Sequence, residues 1–166
     1  MVKQEFPRRE ANTYTSAAEI RQKTIPVLVE EGRSCLRLSL RRACQKRTES
    51  AINNTTVPVW FEAGRHEIFK LFTPDLSFKR WRMVIIRMEV DYVNQLYYGQ
   101  DVTVYTGIGR IGNTSLTIYE EIHQNGVVCA KGRAVYVNFN FDTGRPEPIP
   151  DDIRAKLREH VWQPGE

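Results

Sequence analysis

The residue types that most often do chemistry are thinly spread along this chain of 166 residues. Cys35, Cys44 and Cys129 are odd in number and share no ligand or redox spacing, and His66, His123 and His160 form no cluster. Such a distribution fits reduced thiols better than a disulfide frame or a metal centre, so neither a metal nor a cofactor is expected. More informative is Asn53-Asn54-Thr55-Thr56-Val57-Pro58, directly ahead of an apolar segment. Thr55 or Thr56 can cap a helix there, and Pro58 suits a first turn, where no donor is needed. Backbone N–H groups from Asn54 to Val57 would then lack intrahelical partners at the positive end of the helix dipole, a place that favours developing negative charge. Asn53 and Asn54 either position a substrate or water, or serve as ordinary cap and turn residues. Arg110, Lys131, Arg133 and Arg145 have the charge to hold phosphates, and each is otherwise a surface cation.

The elements that must position these residues follow from periodicity. Leu36, Leu38 and Leu40 alternate with Arg37, Ser39 and Arg41, the period of a strand with one apolar face. Trp60, Phe61, Gly64, Ile68, Phe69 and Phe72 recur at helical spacing, which predicts one long helix from about Thr55 until Pro74 ends it. Four strands follow, over 82–93, 101–110, 114–123 and 127–141, with Asn125-Gly126 a two-residue hairpin turn. Asp142-Thr143-Gly144 makes a further turn, and Asp151 or Asp152 caps a short helix, DDIRAKLREH. Near the start, AAEIRQK can form a short helix that Pro26 stops. The division expected is an N-terminal arm over 1–33, partly disordered or helical, a domain over 34–160, and a flexible tail over 161–166. A helix bulky on most of its faces needs cover nearly all round, which a curved antiparallel sheet supplies. The free edge of such a sheet favours a second copy. The class is therefore α+β.

The formal net charge is +4, and it is uneven: Arg33, Arg37, Arg41, Arg42, Lys46 and Arg47 crowd a segment whose one acid is Glu49. Such a patch attracts nucleic acid, an acidic carrier protein or phosphates, or is simply a solvated face; nucleic acid is the weakest of these readings. No apolar run is long enough to cross a bilayer, and the first sixteen residues carry acids beside bases, unlike a leader. A soluble, cytoplasmic protein without a membrane partner is expected.

Several runs, taken together, resemble the 4-hydroxybenzoyl-CoA thioesterase-like family of hotdog-fold acyl-CoA thioesterases. Ile52-Asn53-Asn54 is similar to the family's His-hydrophobic-Asn-Asn approach to the central helix, and Trp60-Phe61-Glu62-Ala63-Gly64-Arg65 to its Phe-Glu-x-Ala-Arg helix. Arg87 to Tyr92, Tyr98-Gly99-Gln100, Arg110-Ile111-Gly112-Asn113-Thr114-Ser115 and Thr143-Gly144-Arg145-Pro146 follow in the family's order. The resemblance implies a hotdog fold, in which a curved antiparallel sheet wraps one long central helix, here with a short C-terminal helix. It implies hydrolysis of an acyl thioester, carried by coenzyme A or acyl-carrier protein, to an acid and a thiol. It also implies a homodimer or homotetramer with active sites between subunits. Asn53, Asn54 and Thr55 would bind the carbonyl, Tyr92 and Ser115 would line the acyl pocket or meet a neighbouring subunit, and Arg110 and Arg145 would hold coenzyme A phosphates.

One departure concerns the chemistry itself. The family usually carries an Asp in the loop before the Asn-Asn pair, and Gln45 and Arg47 stand at the matching positions, with Ser50 and Ala51 where Gly and His are expected. Three readings stay open. Another acid serves as base or nucleophile, either Glu49 in the same loop or Glu62 on the helix, where a related subgroup places its catalytic Glu; Glu62 also suits a structural pair with Arg65. Alternatively the domain is catalytically silent and binds acyl thioesters or protein partners. The third reading is that residues 30–51 stem from an altered coding region.

Overall fold

The computed structural model of the chain describes residues 23–24, 36–40 and 52–162. Among these described residues seven strands and three α-helices follow in order: β1 (Lys23–Thr24), β2 (Leu36–Leu40), α1 (Thr56–Gly64), α2 (His66–Phe72), β3 (Met83–Tyr92), β4 (Val102–Ile111), β5 (Ser115–Gln124), β6 (Val127–Asn140), β7 (Arg145–Pro146) and α3 (Asp151–Arg158). The sheet runs β1-β2-β4-β5-β6-β3, antiparallel throughout, with β7 hydrogen-bonded to the end of β6. One face of this curved sheet wraps α1 and α2, the α+β hotdog arrangement that the sequence predicts. No helix of the described residues is long and apolar enough to cross a membrane.

The register shows why the sheet closes around the helices. Leu116, Ile118, Glu120 and Ile122 of β5 lie opposite Tyr136, Ala134, Gly132 and Ala130 of β6 on one face. Small residues on β6 let the helix come close. A Cβ added to Gly132 would sit 2.8 Å from the Phe61 ring, and one added to Gly64 would sit 2.7 Å from Thr106 Oγ1. Register shifts between Ile85 and Arg87, Ile108 and Ile111, and Ile122 and His123 add the bends that curve long strands. The β5–β6 hairpin turns on Asn125 (φ 53°) and Gly126 (φ 78°), the paired positive values that the Asn-Gly sequence predicts.

The helix predicted over 55–73 forms with one interruption. At Arg65 the chain leaves α1 and re-enters α2, and the Arg65 N–H donates back to the Glu62 carbonyl, three residues earlier, at 3.1 Å. The break divides the core into two apolar clusters. Val57, Trp60 and Phe61 pack with Leu96, Val102, Val104 and Ile122 at one end, and Ile68 and Phe69 pack with Met83, Ile108, Leu116 and Leu157 at the other. Burying each of these larger side chains contributes roughly 1.5–3 kcal/mol.

The sequence and the structure differ at smaller points. Pro150 occupies the position before α3, so Asp151 and Asp152 fall in its first turn, where their charges favour the dipole, rather than at its cap. The helix expected over AAEIRQK lies outside the described residues except for Lys23, which is in strand β1 and pairs with Ser39 of β2. At the C-terminal end, Val161 bridges Ile108 and Trp162 is buried. The Trp162 indole covers Gly107, where an added Cβ would lie 2.6 Å from the tryptophan side chain.

Candidate functional site

The start of α1 is held from two directions. Asn53 folds the chain into the helix: its Oδ1 accepts from the Thr55 N–H at 3.1 Å, and its carbonyl accepts from the Thr56 N–H at 3.0 Å. The cap acceptor is therefore Asn53, while Thr55, at the capping position, makes no side-chain cap bond. From the sheet, the Tyr92 hydroxyl donates to the Asn54 carbonyl at 2.8 Å, and the Ile52 N–H donates to the Leu96 carbonyl at 2.9 Å. These bonds tie the end of β3 and the loop after it to the helix start.

A pocket of about 290 Å³ lies between these segments, lined by Ile52, Asn54, Val57, Tyr92, Val93 and Leu96 among others. Two N–H groups at the head of α1, those of Asn54 and Val57, make no hydrogen bond to other described residues, and Pro58 has none to give. The pocket thus has a mixed lining, with Ile52, Val57, Val93 and Leu96 beside the polar Asn54, Tyr92, Asn94 and Gln95, and joins it to open donors and the positive end of a helix dipole. That combination can hold a carbonyl oxygen as it gains negative charge.

The remaining predicted site residues are placed differently. Glu62 is exposed on α1, and its carboxylate makes no hydrogen bond or ion pair with other described residues. Five residues separate it from Val57, about 7.5 Å along a helix axis, and it does not line the pocket. Glu49 lies outside the described residues. Ser115, Arg110 and Arg145 lie toward the other end of the sheet: Arg110 near the end of β4, Ser115 at the start of β5 with its Oγ against Gly112, and Arg145 in β7 opposite Asn140. Within one chain, then, Asn53, Asn54, Thr55 and Tyr92 come together, and Ser115, Arg110 and Arg145 do not join them. Arg133 is tied to Glu89 at 3.0 Å on the outer face of the sheet. Among the described residues no group of three or more His, Cys, Asp or Glu could hold a metal ion.

Reasoning from the sequence missed a charged group at the centre of the fold. Arg65 is 1% exposed, and its Nε donates to Glu120 Oε1 at 2.9 Å, its Nη2 to Glu120 Oε2, and its Nη1 to the Tyr136 hydroxyl at 2.8 Å. Glu120 is 0% exposed. Burial pushes its carboxyl up to about 7, against the opposing pull of Arg65. The structural partner that sequence spacing offers Arg65 is Glu62; the partner in the fold is Glu120. The signal was present, because Glu120 takes its place in the inward alternation Leu116, Ile118, Glu120, Ile122, where a carboxylate needs a buried cation.

Comparison with known proteins bears on the family and the fold. The family model of the thioesterase-like superfamily matches residues 49–157. A predicted thioesterase from Bacillus stearothermophilus of known structure is 96% identical, over 69% of this chain and 86% of that one, with a TM-score of 0.68. A thioesterase from Thermus thermophilus, solved with coenzyme A and Zn, is 30% identical over 72% of this chain and 96% of its own, with a TM-score of 0.61. The uncharacterized protein YsmA of Bacillus subtilis is 25% identical over 107 residues, 64% of this chain and 73% of its own. The match to the family model spans well over half of the sequence, so the chain belongs to the thioesterase-like superfamily.

Proposed function

We propose that this protein hydrolyses acyl thioesters of coenzyme A, releasing a carboxylic acid and the free thiol. The observation that carries the reading is the pocket at the head of α1, with the Asn54 and Val57 N–H groups open beside Ile52, Val93 and Leu96. A thioester carbonyl placed there would be polarised by both donors. Glu62, or Glu49, removes a proton from water as its oxygen adds to the carbonyl carbon. The tetrahedral oxyanion rests on the backbone donors, then collapses with loss of the C–S bond, and the sulfur leaves with the proton that the carboxylate returns. The Thermus relative's complex with coenzyme A supports that carrier over acyl-carrier protein, and a cytoplasmic setting goes with it.

A homodimer completes the arrangement. β3 pairs on one side with β6, and its exposed Ile85 and Ile86 offer an edge for a second copy. Ser115, Arg110 and Arg145, distant from the pocket of their own chain, would then serve the site of a neighbour in a dimer or tetramer.

A second reading has its own support: no carboxylate is among the residues lining the pocket. The domain would then bind acyl thioesters or protein partners without turnover. Thiol release from short, long and aromatic acyl-CoAs, followed with the purified full chain, separates the two. Turnover above background supports the enzyme; its absence across the panel, with acyl-CoA still bound, supports the binding module.

A further inference from the structure

One wall of the pocket at the head of α1 is the connection between β3 and β4, through Val93, Asn94, Gln95 and Leu96. Its two ends are anchored differently. At the β3 end the Val93 and Asn94 N–H groups donate to the Cys129 carbonyl at 2.9 and 3.0 Å, and Asn94 Nδ2 donates to the Val128 carbonyl at 2.7 Å. At the far end the anchor is a side chain. The Tyr97 N–H donates to Gln124 Oε1 at 2.9 Å, and Gln124 Nε2 donates to the Tyr97 carbonyl at 3.0 Å.

A carboxamide that bonds both backbone groups of one residue does what a neighbouring strand would do. The pairs between β4 and β5 stop at Thr103 with His123, so Gln124, the last residue of β5, has no β4 residue opposite it. Its amide supplies the missing rung to Tyr97. The Gln124 side chain is 4% exposed, so little water competes for these bonds. The next residue adds a second tie, with Asn125 Nδ2 donating to Gln100 Oε1 at 2.7 Å. From Tyr97 the path to the helix is short. The Leu96 carbonyl beside it accepts the Ile52 N–H at 2.9 Å, one residue before Asn53 folds the chain into α1.

We propose that Gln124 is a positioning residue for the pocket: its carboxamide clamps Tyr97 and, through Leu96 and Ile52, sets the gap between the 93–96 wall and the open N–H groups of α1. The inference rests on the reading of that pocket as the acyl-thioester site. Gln124 does not itself line the pocket, so its effect is on where the wall stands and not on contact with a ligand.

The other end of the sheet supplies a matched control. Asn138 of β6 is 5% exposed, and its Nδ2 donates to the Glu147 and Pro148 carbonyls at 3.1 and 3.0 Å. It sits opposite Met83, in the cluster around α2. Removing either amide loses two buried bonds to backbone, so a merely structural role predicts the same outcome at both sites. Binding of hydrolysis-resistant thioether analogues of short, long and aromatic acyl-CoAs to the full chain reads the difference without turnover. Gln124→Met keeps the bulk of the side chain and removes both bonds, and it should weaken binding by about tenfold. The Tyr97 and Ile52 amides should exchange faster with deuterium in that variant. Asn138→Leu should lower the urea midpoint comparably yet bind within about twofold of the wild type. Gln124→Glu keeps the acceptor for the Tyr97 N–H but sets an oxygen against the Tyr97 carbonyl, and it should weaken binding too, so the test does not hang on one variant folding. Wild-type affinity in both Gln124 variants overturns the inference, and so does an equal loss in Gln124→Met and Asn138→Leu. A wild type that binds none of the analogues overturns the functional reading, and this inference falls with it; the wild-type titration tells the two failures apart.

Discussion

Around α2 the apolar core is sealed, and around α1 it is left open at one end. Phe69 meets Trp81 and Tyr136 edge-on, each with ring centroids 5.2 Å apart, and Leu157 of α3 and Ile149 close that cluster from the side. At the other end, Val57 and Leu96 are buried, but Tyr92 and Val93 beside them are half exposed and border the pocket. Between the two ends lies a polar layer of Arg65, Glu120, Tyr136 and Thr106, at the level where the helix breaks. One end of the helix is thus committed to packing, and the other holds its donors toward a cavity.

The largest test of this contrast is at the open end. Glu62→Ala is expected to lower the rate of thiol release by about 10²–10⁴-fold while leaving the thermal unfolding midpoint close to that of the wild type. An unchanged rate would mean that the exposed acid has no part in the chemistry.

The polar layer should behave in the opposite way. Arg65→Ala leaves Glu120 buried without its cation and is expected to cost about 3–5 kcal/mol in denaturant unfolding. A loss under about 1 kcal/mol would show that water readily replaces the guanidinium.

Glu120 also gives the layer a pH dependence. Folded Glu120 holds its proton up to about 7, against an ordinary value of 4.5. Between those values the folded state binds more protons than the unfolded state, so stability falls as pH rises through that window. The fall amounts to at most ~3 kcal/mol. Urea titrations at several pH values should show it, and Glu120→Gln should flatten the curve.

Two smaller substitutions probe how each end is held. Gly64→Ala gains helix propensity, but its Cβ would meet Thr106 Oγ1 at 2.7 Å and Val104 Cγ1 at 3.0 Å, so a net loss of about 1–3 kcal/mol is expected. Tyr92→Phe removes the bond to the Asn54 carbonyl and should cost about 1 kcal/mol or less, with its effect concentrated in KM. An effect on stability alone would show that Tyr92 braces the helix without shaping the pocket.

Much of the fold was legible in the sequence because local rules and burial agree there. The alternating strands, the Asn-Gly hairpin and the bulky helix each have one way to hide their apolar face, and the four long strands form within a residue or so of their predicted bounds. The gathering of Asn53, Asn54 and Thr55 was also legible, since capping chemistry is local. The identity of the acceptor was not: Asn53 outcompetes the threonines because its side chain reaches two residues forward.

Only the tertiary structure decided which carboxylate Arg65 pairs with. Arg65 and Glu62 stand three apart, and sequence spacing suggests that they pair. Instead the close approach of Gly64 to β4 and the break after it bury Arg65 beneath the helix, where Glu120, fifty-five residues later, satisfies it. Glu62 is left exposed beside them. Sequence by itself determined the four long strands, the apolar helical segment before them and their order, because these depend on neighbours along the chain. The Thr55 and Thr56 N–H groups, expected to stay open, are instead taken by Asn53. The pairing of charges across the core depends on which strand the helix lies over, and that is set only once the sheet has closed around it.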